Sequence, residues 1–594
     1  MRISPKKLLH GLLYTAPVFL LTLAACGGGG GGSTSTPSAG PFTLGGSITG
    51  LNGSGLVLQN NGGSDLTVAS GVSSYTFASS VPKDSSYNVT VLTHPSSPTQ
   101  ICSVTGGSGT ASADVTTANV SCVNAYTISG KIYGDPTLEA SIGPILQNNG
   151  GDNLFIPTLP ASGVAANFTF SIPIADGQTY AVTQLARAKS PGQNCAADAN
   201  PASSVAMTGT VAGADVINVS IYCVSAPIVP KYAYVANNIA DSVSAYKIDS
   251  ATGALTATAP ATKATGDGPY SVTVDPTGRF AYVANSNADT ISAYSIDTVA
   301  GGDTGALTLL TDVNAGIAGN QTSIATGDYP FSITIHPSGE FAYTLNQGGG
   351  AGTGNTISAY SVNASSGALA AIDADGGTTG TQATIATGTT PYAITIDPLG
   401  KFAYVANYAS NTISAYTIDS ITGTLTSVGA AVAGTNPSSI AIDPSGKCAL
   451  VTNNTSNNVM SYSIDTNTGV LTGVSTVASG TAPRSVAVDP NTGLYAYVAN
   501  AGSANVSAFS VNPADCVIAS IDTDAVTGGV NATITAGTTP ISVNVDPSGL
   551  FVYVANLASN NVSVYKIGNG GALTPGTPVA TATGTGPVSV TTTQ

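Results

Sequence analysis

Between Lys231 and the C-terminus one short strand pattern recurs seven times, and no other feature restricts the fold so strongly. The copies begin at Tyr234, Tyr282, Tyr343, Tyr404, Leu450, Tyr497 and Tyr553. Most read Tyr-Val-Ala-Asn, and they lie 46 to 61 residues apart. A second alternating segment follows each copy, as at 243–246. Then come a turn such as 419–423, a Leu-Thr segment such as 425–426, and a segment opening with Pro such as 391–396. Four short strands in a repeat of this length predict one blade of a β-propeller, a sheet that buries its faces only by stacking on its neighbours. The first copy has no Pro segment before it, and the last is followed by a surplus one beginning at Pro587. The sequence therefore predicts that strand 587–593 completes the first blade. Seven blades over 231–594 would then form a ring with no open edge.

Upstream, a different unit is duplicated. Leu58-Gln59-Asn60-Asn61-Gly62-Gly63 returns as Leu146-Gln147-Asn148-Asn149-Gly150-Gly151, and Tyr87-Asn88-Val89-Thr90 returns as Tyr180-Ala181-Val182-Thr183. Alternating strands joined by Asn-Gly turns predict two small β-sandwich-like modules, 42–124 and 125–225. The fold class is thus all-β: a seven-bladed propeller behind two small disulfide-bonded modules. Four cysteines allow three pairings. Each copy must close itself, so Cys102–Cys122 and Cys195–Cys223 are expected, in an oxidising compartment. A zinc site would need close Cys-x-x-Cys spacing, which is missing. Cys448 stands where other repeats carry an aromatic residue, and it is expected to be a buried free thiol, with Cys516 also outside the pairing.

Charge excludes one class of partner. The 594 residues carry 15 basic and 30 acidic side chains, a net −15, and no basic run follows Lys7. Binding to nucleic acid needs clustered Lys and Arg, so none is expected. Three histidines, His10, His94 and His336, are too few for chemistry that needs several. No metal and no cofactor is expected. Arg2, Lys6 and Lys7 precede an apolar stretch, 8–23, that is short for a membrane span and reads as an export signal, 1–25. It ends in Leu23-Ala24-Ala25-Cys26, which resembles a bacterial lipobox. That resemblance implies cleavage before Cys26 and lipidation of its sulfur. Gly-, Ser- and Thr-rich residues 26–41 are then a tether. Gly27 after the cysteine resembles lipoproteins sorted to the outer membrane of Gram-negative bacteria. The expected location is the cell envelope, on either face of the outer membrane, with the lipid anchor as membrane contact.

Two repeated features invite a chemical reading and are better explained structurally. Asp275, Asp397, Asp443 and Asp546 each open an Asp-Pro-x-Gly sequence, the composition of a type I turn. Asp489 begins a longer version, and His336 takes the Asp place in the third repeat. The segment Asp373-Ala374-Asp375-Gly376 lacks the downstream Glu and alternating ligands of a calcium loop.

The repeats resemble the lactonase family of seven-bladed propellers and the related Tyr-Val-Thr-Asn repeat proteins of bacterial surfaces. The resemblance covers 231–594. In catalytic members one inner strand begins Pro-Arg-His, and a Glu follows the Tyr-Val-x-Asn strand of the same blade. The Arg is implied to hold a carboxylate or lactone oxygen, and His and Glu to move protons. Here only Arg484 follows a Pro in that way. The next residue is Ser485, and the Glu place is Ala501. Hydrolysis is therefore not expected. The reading is a surface lipoprotein whose propeller is a binding or structural module, for an envelope protein or a glycan. The alternative is a lactonase-type hydrolase, 6-phosphogluconolactonase-like, with an altered site. Residues after the inner-strand prolines should ring one channel mouth. Three are aromatic, Tyr270, Phe331 and Tyr392, and Arg484 is the only cation. These four are the candidate ligand-binding residues. The long connections 309–330, 370–391 and 517–540 are expected to wall that mouth.

Overall fold

The structure, a computed structural model, describes residues 41–593 except 136–140, 150–151, 160–163, 187, 189–191, 197–206, 227, 299–303, 315–321, 349–353, 376–383 and 523–532. The proposed export signal and lipidation site, 1–26, lie outside the described residues. Among those residues the elements are strands, save one 3-10 turn at Asn569–Gly571. None is a helix long and apolar enough to cross a membrane.

The chain divides into two compact units, residues 41–97 with 102–122, and 98–101 with 123 onward. The first has its own core, with Leu44, Leu56, Leu58 and Tyr75 at its centre. One of its sheets pairs Ser64–Val68, Leu56–Asn60, Ser86–Thr93 and Ser108–Thr110. The other is built on Gly45–Thr49 between Asn119–Tyr126 and Ser74–Thr76. Cys102 is bonded to Cys122. In the second unit, residues 125–226 repeat this plan with two four-stranded sheets. Cys195 is bonded to Cys223, its direct partner across adjacent strands.

Seven sheets follow, four of four strands and three of five, in which the outermost strand is in two pieces. Blade 2 runs from its inner strand Pro269–Val274 through Phe280–Asn285 and Thr290–Ile296 to the outer pieces Leu307–Leu309 and Ser323–Ala325. Blades 3 to 7 begin at Pro330, Pro391, Pro437, Pro483 and Pro540. Blade 1 takes Tyr232–Asn237, Ser242–Ile248 and Leu255–Ala264 from the start of the repeats, and its inner strand is Pro587–Thr592. That strand pairs antiparallel with the first one, Val235 opposite Val590 and Tyr234 opposite Thr591.

The repeated residues have repeated tasks. The strand-ending Asn of each blade is fully buried. In blade 4 the Asn407 amide donates to Thr412 and Ser414 hydroxyls at 3.1 and 2.9 Å, and its oxygen accepts from Gly388 N–H. Gly388 must be glycine: a Cβ would stand 2.6 Å from the Asn407 side chain. Asp546 closes its turn as an acceptor for the N–H groups of Ser548, Leu550 and Phe551 and for the Ser548 hydroxyl. In blade 3, His336 does this work instead. Its Nδ1 accepts from Ser338 N–H, which assigns the proton to Nε2, and Nε2 then donates to the Gly400 carbonyl of blade 4 at 2.8 Å. Inner strands are also tied sideways. Hydroxyls of Ser589, Ser271, Ser439, Ser485 and Ser542 each accept a backbone N–H from the next blade's inner strand, at 3.1–3.3 Å.

One expectation is corrected. Cys448 is not a free thiol: it is bonded to Cys516, 68 residues on and in the next blade, and both are buried. The centres of the long connections expected to wall the mouth, 315–321, 376–383 and 523–532, lie outside the described residues. In blades 2, 3 and 6 the extra residues interrupt the outermost strand, whose two pieces both pair with the third strand. Described ends of these insertions reach sideways. Val313 accepts the Leu369 N–H of blade 3, and Ala374, from the suspected calcium segment, accepts that of Leu425 in blade 4.

Candidate functional site

At the start of every inner strand the residue after Pro is skipped in the pairing. Pro269 faces Asn285 and Ser271 faces Ala284, so Tyr270 is the extra residue of a bulge. The same shift occurs in all seven blades. A bulge frees a side chain from the strand's alternation and re-aims it. The residue before each Pro has a positive φ, including the β-branched Thr390 at 55° and Thr539 at 57°. Such strain persists only where neighbours hold it. Asn355 does so for Thr390, its side-chain oxygen accepting the N–H at 2.6 Å.

The bulged residues meet. Tyr270 and Phe331 have ring centroids 3.6 Å apart, and Phe331 and Tyr392 are 4.4 Å apart. The Tyr270 and Tyr392 hydroxyls are 3.3 Å apart. Arg484 donates from Nη1 to the Tyr392 hydroxyl at 2.6 Å, with its guanidinium carbon 5.6 Å from that ring's centre. All four candidate residues thus form one cluster across blades 2, 3, 4 and 6. Phe331 is buried, while Tyr270, Tyr392 and Arg484 keep partial exposure. Burial is the main cause that holds the Tyr270 hydroxyl well above its ordinary pKa, followed by the nearby Tyr392.

Other mouth positions complete two sides. Val588 and Ile541 pack with Tyr270 on an apolar side. On the polar side the Ser438 hydroxyl donates to the Pro483 carbonyl at 2.8 Å, and the Asn454 amide reaches the same carbonyl at 3.2 Å. Sequence reasoning missed Tyr408. Its ring stacks on Tyr392 at 5.3 Å, and its hydroxyl donates to Asn454. The available signal was its place directly after the strand Asn in the blade that carries Tyr392.

Arg484 is the electrostatic feature of the site. Among the described residues it contacts a phenol hydroxyl and an aromatic face, and no carboxylate pairs with it. A half-buried guanidinium with spare donors favours an anion, above all a flat carboxylate that takes two parallel bonds. No group of three His, Cys, Asp or Glu residues among the described residues could hold a metal ion. At the two positions where a His and a Glu would complete the catalytic pattern stand Ser485 and Ala501. The Ser485 hydroxyl is engaged by Val543 N–H of blade 7, and the Ala501 N–H donates to the Ala482 carbonyl.

Comparison with known proteins places residues 228–594, in five overlapping stretches, in the family described as Lactonase, 7-bladed beta-propeller. Solved structures with similar folds include a candidate 6-phosphogluconolactonase of Bacteroides uniformis, at 19% identity over 61% of this chain and 100% of that one, TM-score 0.49. They also include the periplasmic gluconolactonase of Pseudomonas aeruginosa, at 17% identity over 61% and 99%, TM-score 0.49. No curated protein matches the chain.

Proposed function

Because this chain belongs to the lactonase family of seven-bladed β-propellers, we propose that its channel mouth binds a sugar acid or the corresponding lactone, and holds it rather than hydrolyses it. The observation that carries this reading is Arg484, half-buried and resting on Tyr392, and among the described residues the one cation of the mouth and paired with no carboxylate. Its fork would take the ligand's carboxylate, and the exposed face of the aromatic cluster would take the apolar side of a sugar ring. The two proton-moving positions of the catalytic pattern are not filled. The His and Glu positions carry side chains that are small, non-titrating and, for Ser485, committed to the next blade. Titration calorimetry with gluconate and glucono-lactone tests the reading. Tyr392→Ala and Arg484→Ala should each weaken binding by about 1–3 kcal/mol, a hot-spot-sized loss. No heat with either compound, or heat unchanged in both variants, returns the cluster to a packing role.

Family membership favours a second reading, a lactonase with a rearranged site. Turnover of glucono-lactone above the uncatalysed rate, abolished by Arg484→Ala, would establish it and overturn the first. We further propose that the protein works outside the cytoplasm, tethered through Cys26. What supports this is the lipobox-like ending of the leader and the pairing of all six described cysteines, which an oxidising compartment allows.

A further inference from the structure

Six of the seven blade junctions share three contacts, and the junction of blades 5 and 6 has none of the three. In the six, a second-strand Tyr hydroxyl donates forward to a turn glycine carbonyl of the next blade. Tyr282 donates to Gly367 at 3.0 Å and Tyr404 to Gly469 at 2.9 Å, and Tyr234, Tyr343, Tyr497 and Tyr553 do the same. A third-strand Tyr hydroxyl donates backward to the last outer-strand carbonyl of the preceding blade. Tyr462 reaches Val432 at 2.9 Å, and five other tyrosines match it. Finally, the aromatic ring that heads the second strand (or Tyr232, two residues before Tyr234) lies on that same glycine, so closely that a Cβ there would stand 2.1–2.4 Å from the ring.

Between blades 5 and 6 all four positions differ. Leu450 replaces the forward Tyr, and Phe509 replaces the backward one. Cys448 replaces the ring, and Cys516 replaces the glycine. Cys516 keeps the left-handed backbone of the glycines it replaces, φ 60° against 67–80° in the other six. A side chain is costly in that conformation, but a sulfur bridge requires a Cβ. Serine bonds remain at this junction, from Val486 N–H to Ser439 and from Ile518 N–H to Ser475. The ring packing and both phenol bonds do not.

We infer that Cys448 and Cys516 are an obligatory oxidation site that closes the ring. Apolar contacts of Leu450 and Val459 with Val486, Val498 and Phe509 remain at this junction. The disulfide adds to them what ring-on-glycine packing and phenol hydrogen bonds supply at the other junctions, and the dithiol form is looser at this seam. Closure is a thiol–disulfide exchange. The two thiols give up two protons and two electrons to a disulfide-bearing oxidant, whose own bond is reduced to two thiols, and the Sγ–Sγ bond forms. Once formed, the bond is buried and shielded from reductant. The seam also lies under the channel mouth. Arg484 is on blade 6 and its partner Tyr392 on blade 4, so their contact spans blade 5 and the junction in question.

The test compares the parent with Cys448→Ala/Cys516→Ala and with a rebuilt junction, Cys448→Phe/Cys516→Gly/Leu450→Tyr/Phe509→Tyr. The Ala pair should lower the melting temperature by roughly 5 °C or more. It should also speed amide exchange about tenfold in Cys448–Asn453 and Asn505–Val511, with blades 1 to 3 unchanged. The rebuilt junction should restore both without a disulfide. An Ala pair that melts within about 1 °C of the parent with no local change in exchange overturns the inference. So does a rebuilt junction as open as the Ala pair. Should the Ala pair fail to fold, folding of the rebuilt protein in reductant supports the inference, and its failure there overturns it.

Discussion

His336 shows how one side chain takes over another's task at a measurable cost. Burial is the main cause that lowers its pKa below the ordinary His range, while the bond to Gly400 acts in the opposite sense. The unfolded chain therefore binds the proton more readily. As pH falls through about 6.5, protonation favours unfolding, and the stability present at neutral pH is progressively lost. Replacing it with the residue that stands in the equivalent turns of blades 2, 4, 5, 6 and 7, His336→Asp, should flatten the melting temperature between pH 7 and 5. A slope identical to that of the parent would show that His336 does not titrate with folding. The tyrosines act as a set. Burial pushes Tyr416 and Tyr462 up to about 12, so they stay neutral donors across any physiological range. Tyr404→Phe removes one junction bond and leaves the Gly469 carbonyl without it. A loss of about 1 kcal/mol in denaturant unfolding is expected, typical of one buried hydrogen bond.

At the scale of elements, the blades divide their surfaces between packing and chemistry. Second strands, with the Asn residues that end them, are buried on both sides and fix spacing. Bulges at the inner-strand starts release seven side chains toward one opening. Outer strands carry the insertions, which lean on the following blade at Val313 and Ala374. The inner strand of blade 1 comes from the far end of the chain, with Val588 and Val590 buried in it. Deleting 587–594 should leave Tyr232–Asn237 without its inner partner and expose apolar edges of blades 7 and 2. The expected result is aggregation, or a melting temperature lower by several degrees, read by calorimetry. Melting equal to the parent's would mean the ring does not depend on this strand.

For the whole molecule, covalent bonds appear in each folded part. Closing spans of 20, 28 and 68 residues restricts the unfolded chain by amounts worth about 3–4 kcal/mol each, if the native geometry is unstrained. A chain with 8% charged residues and small side chains relies heavily on such closures and on ring symmetry. The proposed tether belongs to this scale. Cys26→Ala should abolish partition into the detergent phase of a cell extract while leaving the propeller folded. Partition like that of the parent would refute lipidation at this residue.

The repeat by itself determined the fold class, because four strand segments per unit with Asn and Gly at fixed places admit few other architectures. The duplicated modules likewise declared their own cysteine partners, since each pair lies inside one copy. The mouth was legible only as a register: Tyr270, Phe331, Tyr392 and Arg484 share a position after Pro. That they touch was decided by the bulge and the ring, which bring residues up to 214 apart in sequence into one cluster. Tertiary structure alone also decided the Cys448–Cys516 bond. Each cysteine seen in its own repeat is only a deviant residue; the pairing exists because the head of one blade's second strand packs on the turn of the next. Neighbours along the chain reveal what an element is, whereas contacts between blades depend on how the ring turns, and no single repeat contains that information.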